Sequence, residues 1–193
     1  MSNRSRGLIV SLGGLAWLAG VVVLEAALDP GDDSLPVAFP ILAGFMGVTV
    51  GFGLYGFAEQ LERRMARIGL RLVAICAAML GLGFALALVA EAGFLGFLIS
   101  YSVGLFVLPF ALLWFGLTVL SSRVLPGWAK AVPLTMTSIA VLTFGFHAVA
   151  RDIWDPPDAV WFTCIGVGWT LLGLGIAGGA QVDHEPSRPG AIG

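Results

Sequence analysis

The chain has 193 residues, of which 58% are hydrophobic and 11% charged, with a formal net charge of -2 and a mean hydropathy of +0.95. Soluble domains carry about a quarter charged residues, so a water-soluble fold is excluded, and no basic domain is present to engage a nucleic acid. The small net charge conceals a segregation of sign along the chain.

The opening MSNRSR places Arg4 and Arg6 ahead of an uncharged run from Gly7 to Leu24. A signal peptide would carry a shorter apolar stretch, about 7 to 15 residues, and a small-residue cleavage site. Glu25 stands where the small residue is needed, so the run is expected to be an uncleaved spanning helix over 7–28. DPGDDSLP leads into a second span over 37–58, with Pro40 in its first turn, where proline is tolerated. Gly44, Gly47 and Gly51 recur along one side of it. The stretch QLERRMARIGLR then concentrates Arg63, Arg64, Arg67 and Arg71 ahead of a third span over 69–90, where Ala77, Gly81 and Ala85 repeat the small-residue spacing. Small residues let membrane helices approach closely. These stripes, with Gly166, Gly168, Gly173, Gly175 and Gly179 of the last span, are expected either to pack within the chain or to seat a second copy or another membrane protein. Glu59, Glu62 and Arg63 are expected to form surface pairs of little energetic weight.

Glu91 separates the third span from a fourth over 94–120, which carries Ser100, Tyr101 and Ser102 and has Pro109 near its middle. An interior proline removes a donor and clashes with the preceding turn, so a kink is expected there. The fifth span, 130–150, opens near Pro133 and contains His147, the one ionisable side chain well inside a predicted span, with Arg151 following it at i+4. A sixth span over 159–181 follows the acidic RDIWDPPD and leads into the polar tail QVDHEPSRPGAIG. Each uncharged run has about 18 residues or more, and at about 1.5 Å per residue reaches roughly 27 Å, enough for a hydrocarbon core of about 30 Å. A transmembrane β-barrel would instead show alternating segments of about ten residues. The expected fold is all-α, a polytopic bundle of six transmembrane helices forming a single membrane domain over 1–193.

Within FALLWFGLTVLSSRVLPGWAKAVPL, residues 110–134, Arg123, Leu125, Pro126 and Trp128 form an Arg-x-Leu-Pro-x-Trp pattern between two apolar helices. The pattern resembles the inner loop of several groups of small prokaryotic six-helix membrane proteins. The resemblance covers this short stretch alone. It implies a multi-pass membrane protein and carries over no catalytic residue.

Lys and Arg in short loops decide orientation. Arg4, Arg6, Arg63, Arg64, Arg67, Arg71, Arg123, Lys130 and Arg188 fall on one side of the six-span path, and only Arg151 among the basic residues falls on the other. That other side holds Glu25, Asp29, Asp32, Asp33, Glu91, Asp152, Asp155 and Asp158. Both termini are therefore expected in the cytoplasm, with the chain in a prokaryotic cytoplasmic membrane. Arginines at that surface are also drawn to anionic lipid, at about 1 kcal/mol per residue. Trp128, Trp154 and Trp161 fall at span ends, as in an aromatic belt.

Imidazole ordinarily titrates near neutrality, which makes His147 a candidate for proton relay or metal ligation, against the plainer reading of an interfacial histidine bonded to a neighbouring hydroxyl or carbonyl. Glu25 and Glu91 end spans one and three on the outer side. If the helix ends converge, they and Asp152 and Asp155 form an acidic vestibule beside His147; otherwise they are solvated loop acids. Pro109 joins the candidates because broken helices mark transport sites. One histidine holds no metal alone, and Cys76 and Cys164 lack CxxC or Cys/His spacing. GxSxG, HExxH and GxxxxGK[ST] are absent, so no catalytic residue, cofactor or metal site is expected. Two function classes follow. The first is a non-catalytic accessory or structural membrane protein whose partners are the lipid bilayer and other membrane helices. The second is a small permease or channel for protons or small cations, relying on His147, Glu25, Glu91 and Pro109.

Overall fold

A computed structural model describes residues 1–27, 37–88, 93–120, 125–150 and 158–179. The described residues are helical, with no strand among them. Helix α1 spans Asn3–Ala27, α2 Ala38–Ala58 and α3 Arg64–Ala87. They are followed by α4 (Gly93–Ser102), α5 (Leu108–Leu120), α6 (Val132–Ala150) and α7 (Asp158–Gly179). Four stretches, Asn3–Ala26, Ala38–Ala58, Arg64–Leu86 and Phe162–Gly179, are long and apolar enough to cross a membrane, and Leu108–Leu120 is apolar but shorter.

Local chemistry sets the helix ends. Ser2 Oγ accepts from the Ser5 N–H at 3.2 Å, an N-cap that satisfies one of the free donors of the first turn. Helix α3 begins at Arg64, five positions before the predicted span limit at 69, so Arg64, Arg67 and Arg71 are helical. The chain reverses tightly between α2 and α3, and Arg67 folds back to donate from Nε (3.0 Å) and Nη2 (2.6 Å) to the Leu61 carbonyl. Cations in the first turns of α1 and α3 oppose the helix dipole. Their position there therefore answers to something other than helix stability.

The fourth predicted span is not one continuous α-helix. Between α4 and α5 lies a π-helical turn, Val103–Val107, closed by the Leu108 N–H donating to the Val103 carbonyl. Pro109 has no N–H and its ring would strike the carbonyl one turn back. The ladder is reset one residue wider just ahead of it. The departure from α geometry at this place is a widened turn preceding Pro109.

The helices close into a ring in chain order. α1 packs on α2, α2 on α3, α3 on α4 and α5, α5 on α6, α6 on α7, and α7 back on α1. Neighbours run antiparallel: the start of α1 meets the end of α7 (Gly7 by Gly173 and Ala177), and its middle meets Gly166 and Thr170 through Gly14. Likewise Gly44 of α2 lies beside Ala85 of α3, and Gly51 beside Ala74. At Gly47 a Cβ would stand 2.6 Å from the Ala77 carbonyl oxygen and 2.6 Å from the Gly81 nitrogen. The Gly and Ala stripes of α2 and α3 thus meet each other backbone on backbone, the contact that replaces hydrophobic driving force between helices in lipid.

Apolar side chains occur both inside and outside the ring. Val10, Trp17, Met46, Leu54, Leu70, Phe115 and Trp169 are fully buried, while Leu12, Leu15, Val48, Phe52, Ile75, Leu82, Phe110 and Leu117 stand exposed. A helix that is apolar on every side belongs to a large core or a membrane, and soluble monomers rarely expose so continuous an apolar surface.

Candidate functional site

The first candidate is the region around Pro109. The π turn leaves a crevice bounded by Leu108, Pro109 and Leu112 on one side and Met136, Ala140 and Cys164 on the other, with a volume of about 20 Å³, room for roughly one water-sized sphere. Its walls are almost wholly apolar. Pro109 is buried, and its carbonyl accepts from Thr137 Oγ1 at 3.3 Å; the same hydroxyl donates to Pro133 at 2.9 Å. Thr137 thus holds α5 against α6 at the place where the proline has disturbed the ladder.

Polar groups elsewhere in the interior do similar work. The buried polar side chains among the described residues are Ser11, Ser100 and Thr137. Ser11 Oγ donates to the Thr170 carbonyl at 3.1 Å, joining α1 to α7, and Ser100 Oγ to the Leu80 carbonyl at 3.4 Å, joining α4 to α3. Trp17 Nε1 donates to the Phe162 carbonyl at 2.7 Å. Its ring packs against Phe39, Phe84 and Phe162, each with centroids 5.7 Å away, so side chains from α1, α2, α3 and α7 fill the space where those helices meet. Tilted and edge-on aromatic pairs at this spacing are favourable beyond their buried area.

Glu25 is exposed near the end of α1. His147 lies in the last turns of α6, but its side chain is outside the description, as are Glu91, Arg151, Asp152 and Asp155. The antiparallel ring puts Glu25 and the backbone of His147 at the same end of the bundle, opposite the arginines. Of the four candidate transport residues, Glu25 and Pro109 have described side chains, Glu25 exposed and Pro109 in apolar surroundings. No group of three or more His, Cys, Asp or Glu side chains able to hold a metal ion occurs among the described residues.

The opposite end gathers Arg4, Arg6, Arg63, Arg64, Arg67, Arg71 and Lys130, since it holds the start of α1, the α2–α3 turn and the segment before α6. Glu59 pairs with Arg71 of α3, Nη2 to Oε1 at 2.5 Å, and the Arg71 guanidinium lies 5.5 Å from the centroid of the Tyr55 ring. Glu59 thus makes its surface pair with a residue twelve positions on, a register visible only once the reversal is known. Arg6 lies across Gly56, where an added Cβ would sit 3.0 Å from Nε. Trp128 is exposed at this end, as a belt residue should be, whereas Trp17 and Trp169 are core.

Helix α1 also carries a small-residue face. Gly7, Ser11 and Gly14 form an i, i+4, i+7 stripe that seats Gly166, Thr170, Gly173 and Ala177 of α7. The spacing alone could have exposed it. No family model, curated protein or solved structure matches the chain.

Proposed function

We propose that the chain is a six-span integral membrane protein of a prokaryotic cytoplasmic membrane, with both termini cytoplasmic, acting as a non-catalytic accessory or structural component. The observation that carries this reading is the use of the interior. Its buried hydroxyls are bonded to backbone carbonyls of other helices, and toward the Glu25 end aromatic rings fill the space where α1, α2, α3 and α7 meet, which favours a packed body over a conduit. The apolar outer surface and the gathering of arginines at one end support the membrane crossing and its orientation. Pairing of α2 with α3 and of α1 with α7 uses the small-residue faces within the chain, so a second copy or another membrane protein would dock through other surfaces.

A small permease or channel for protons or small cations is the second reading, favoured by the π turn beside Pro109, since π turns inside helices recur at functional sites. Proteoliposome flux of protons, alkali cations and divalent cations separates the two. The accessory reading expects no flux above protein-free vesicles. Flux in wild type that is lost in His147→Ala or Glu91→Gln would replace it with the permease.

A further inference from the structure

Arg6 is partly buried and no acidic side chain among the described residues pairs with it. Its guanidinium lies on Gly56 of α2, with Nε 3.0 Å and Cζ 3.7 Å from where a Cβ would be. Its Nη1 is fully buried without an acceptor. One edge of the group is therefore held against the protein with no counter-charge among the described residues. The neighbouring residue of α2, Tyr55, carries the second guanidinium, that of Arg71, whose Nε is likewise buried without a partner although Nη2 meets Glu59. A partly buried cation without a counter-charge is costly. A planar, fixed guanidinium suits an oxyanion with two oxygens to offer.

We propose that Arg6, seated in the Gly56 notch with Arg71 on the adjoining residue, binds the phosphate of a phospholipid headgroup. The proposal rests on the membrane reading above, because the basic end must then lie at headgroup depth in the inner leaflet. Phosphate is the chemistry recognised. The acyl chains would lie along the exposed apolar faces of α1 and α2, where Leu8, Leu12, Phe45 and Phe52 point outward.

The test is native mass spectrometry and titration of the detergent-solubilised full chain with phosphatidylglycerol, phosphatidylcholine and diacylglycerol. The expected order of retention is phosphatidylglycerol, then phosphatidylcholine, with diacylglycerol not retained. Arg6→Gln should weaken phosphatidylglycerol binding at least tenfold. Arg6→Lys, which keeps the charge and loses the fork, should weaken it severalfold, as should Gly56→Leu, which keeps every charge and displaces the guanidinium. Arg4→Gln, which removes an exposed arginine two residues away, should leave binding within twofold. Helix content and thermal unfolding of each variant establish that it is folded. Equal losses for Arg4→Gln and Arg6→Gln would overturn the proposal in favour of diffuse attraction, as would equal retention of diacylglycerol. Competition by millimolar inorganic phosphate alone would assign the site to free phosphate and overturn the lipid. Binding in detergent is independent of orientation, so a failed topology with intact lipid selectivity, or the reverse, distinguishes this proposal from the reading it rests on.

Discussion

Two glycines one turn apart on α2 should respond in opposite directions to the same substitution. At Gly44 an added Cβ meets the Gly81 carbonyl oxygen at 3.6 Å and the Ala85 Cβ at 3.7 Å, ordinary contact distances. Gly44→Ala therefore keeps the seam intact and gains the helix preference of alanine over glycine, about 0.5–1 kcal/mol. At Gly47 the added Cβ stands 2.6 Å from the Ala77 oxygen and nearer still to the Gly81 Cα, so α2 and α3 must part by about 1 Å to reach a 3.4 Å contact. The obstructing atoms are backbone and have no rotamer to yield. A gap of that size forfeits a quarter to a half of each dispersion contact along the seam, and overpacking typically costs about 1–3 kcal/mol. Less the same propensity gain, Gly47→Ala should lose about 1 kcal/mol. The two variants then differ by the overpacking cost, about 2 kcal/mol, roughly one and a half decades in the folded-to-unfolded ratio. Cys76 is 2% exposed and reports unfolding through its thiol. In a Cys164→Ser background, maleimide labelling of Cys76 across an SDS titration in mild detergent gives both midpoints. Equal destabilisation by the two substitutions, or a Gly47→Ala variant as stable as wild type, would refute the close α2–α3 seam.

Thr137→Val should lose about 0.5–1.5 kcal/mol, because it removes the hydroxyl donor to Pro109 and Pro133 while keeping the side-chain shape; the same labelling titration measures it. Arg67→Ala should cost about 1–3 kcal/mol through the uncapped Leu61 carbonyl, while Glu59→Gln, whose ion pair is half exposed, should cost under about 1 kcal/mol, a difference that shrinks as salt is raised; the same labelling titration measures both. Trp17→Phe removes the bond to the Phe162 carbonyl and part of the aromatic cluster, and should cost about 1–3 kcal/mol, read as a lower thermal midpoint in detergent.

Much of this architecture was legible because the membrane imposes coarse rules on composition. Uncharged runs located the helices, and the facing of Gly47 and Gly81 follows from stripes visible in the one-letter code. Finer features were hidden for physical reasons. The π turn before Pro109 depends on how the chain relieves a missing donor, and several local geometries do so equally well. The Glu59–Arg71 pair needs the tight reversal at Gln60 and Leu61. Trp17 is core, and its indole N–H finds a carbonyl on α7 that no spacing rule foretells. Glu25, His147 and Glu91 stand out in the sequence by their chemistry alone, which carries no information on where their side chains lie; among them only Glu25 has a described side chain, which is exposed.

Impermeant maleimide labelling of single cysteines in intact cells, with Cys76 and Cys164 replaced by alanine, tests the account most directly. Ser2→Cys and Gln60→Cys are exposed at the basic end and Ala26→Cys at the opposite end. The account predicts labelling of Ala26→Cys in intact cells, and of Ser2→Cys and Gln60→Cys only after permeabilisation. Labelling of Ser2→Cys or Gln60→Cys in intact cells, with Ala26→Cys protected, would contradict it.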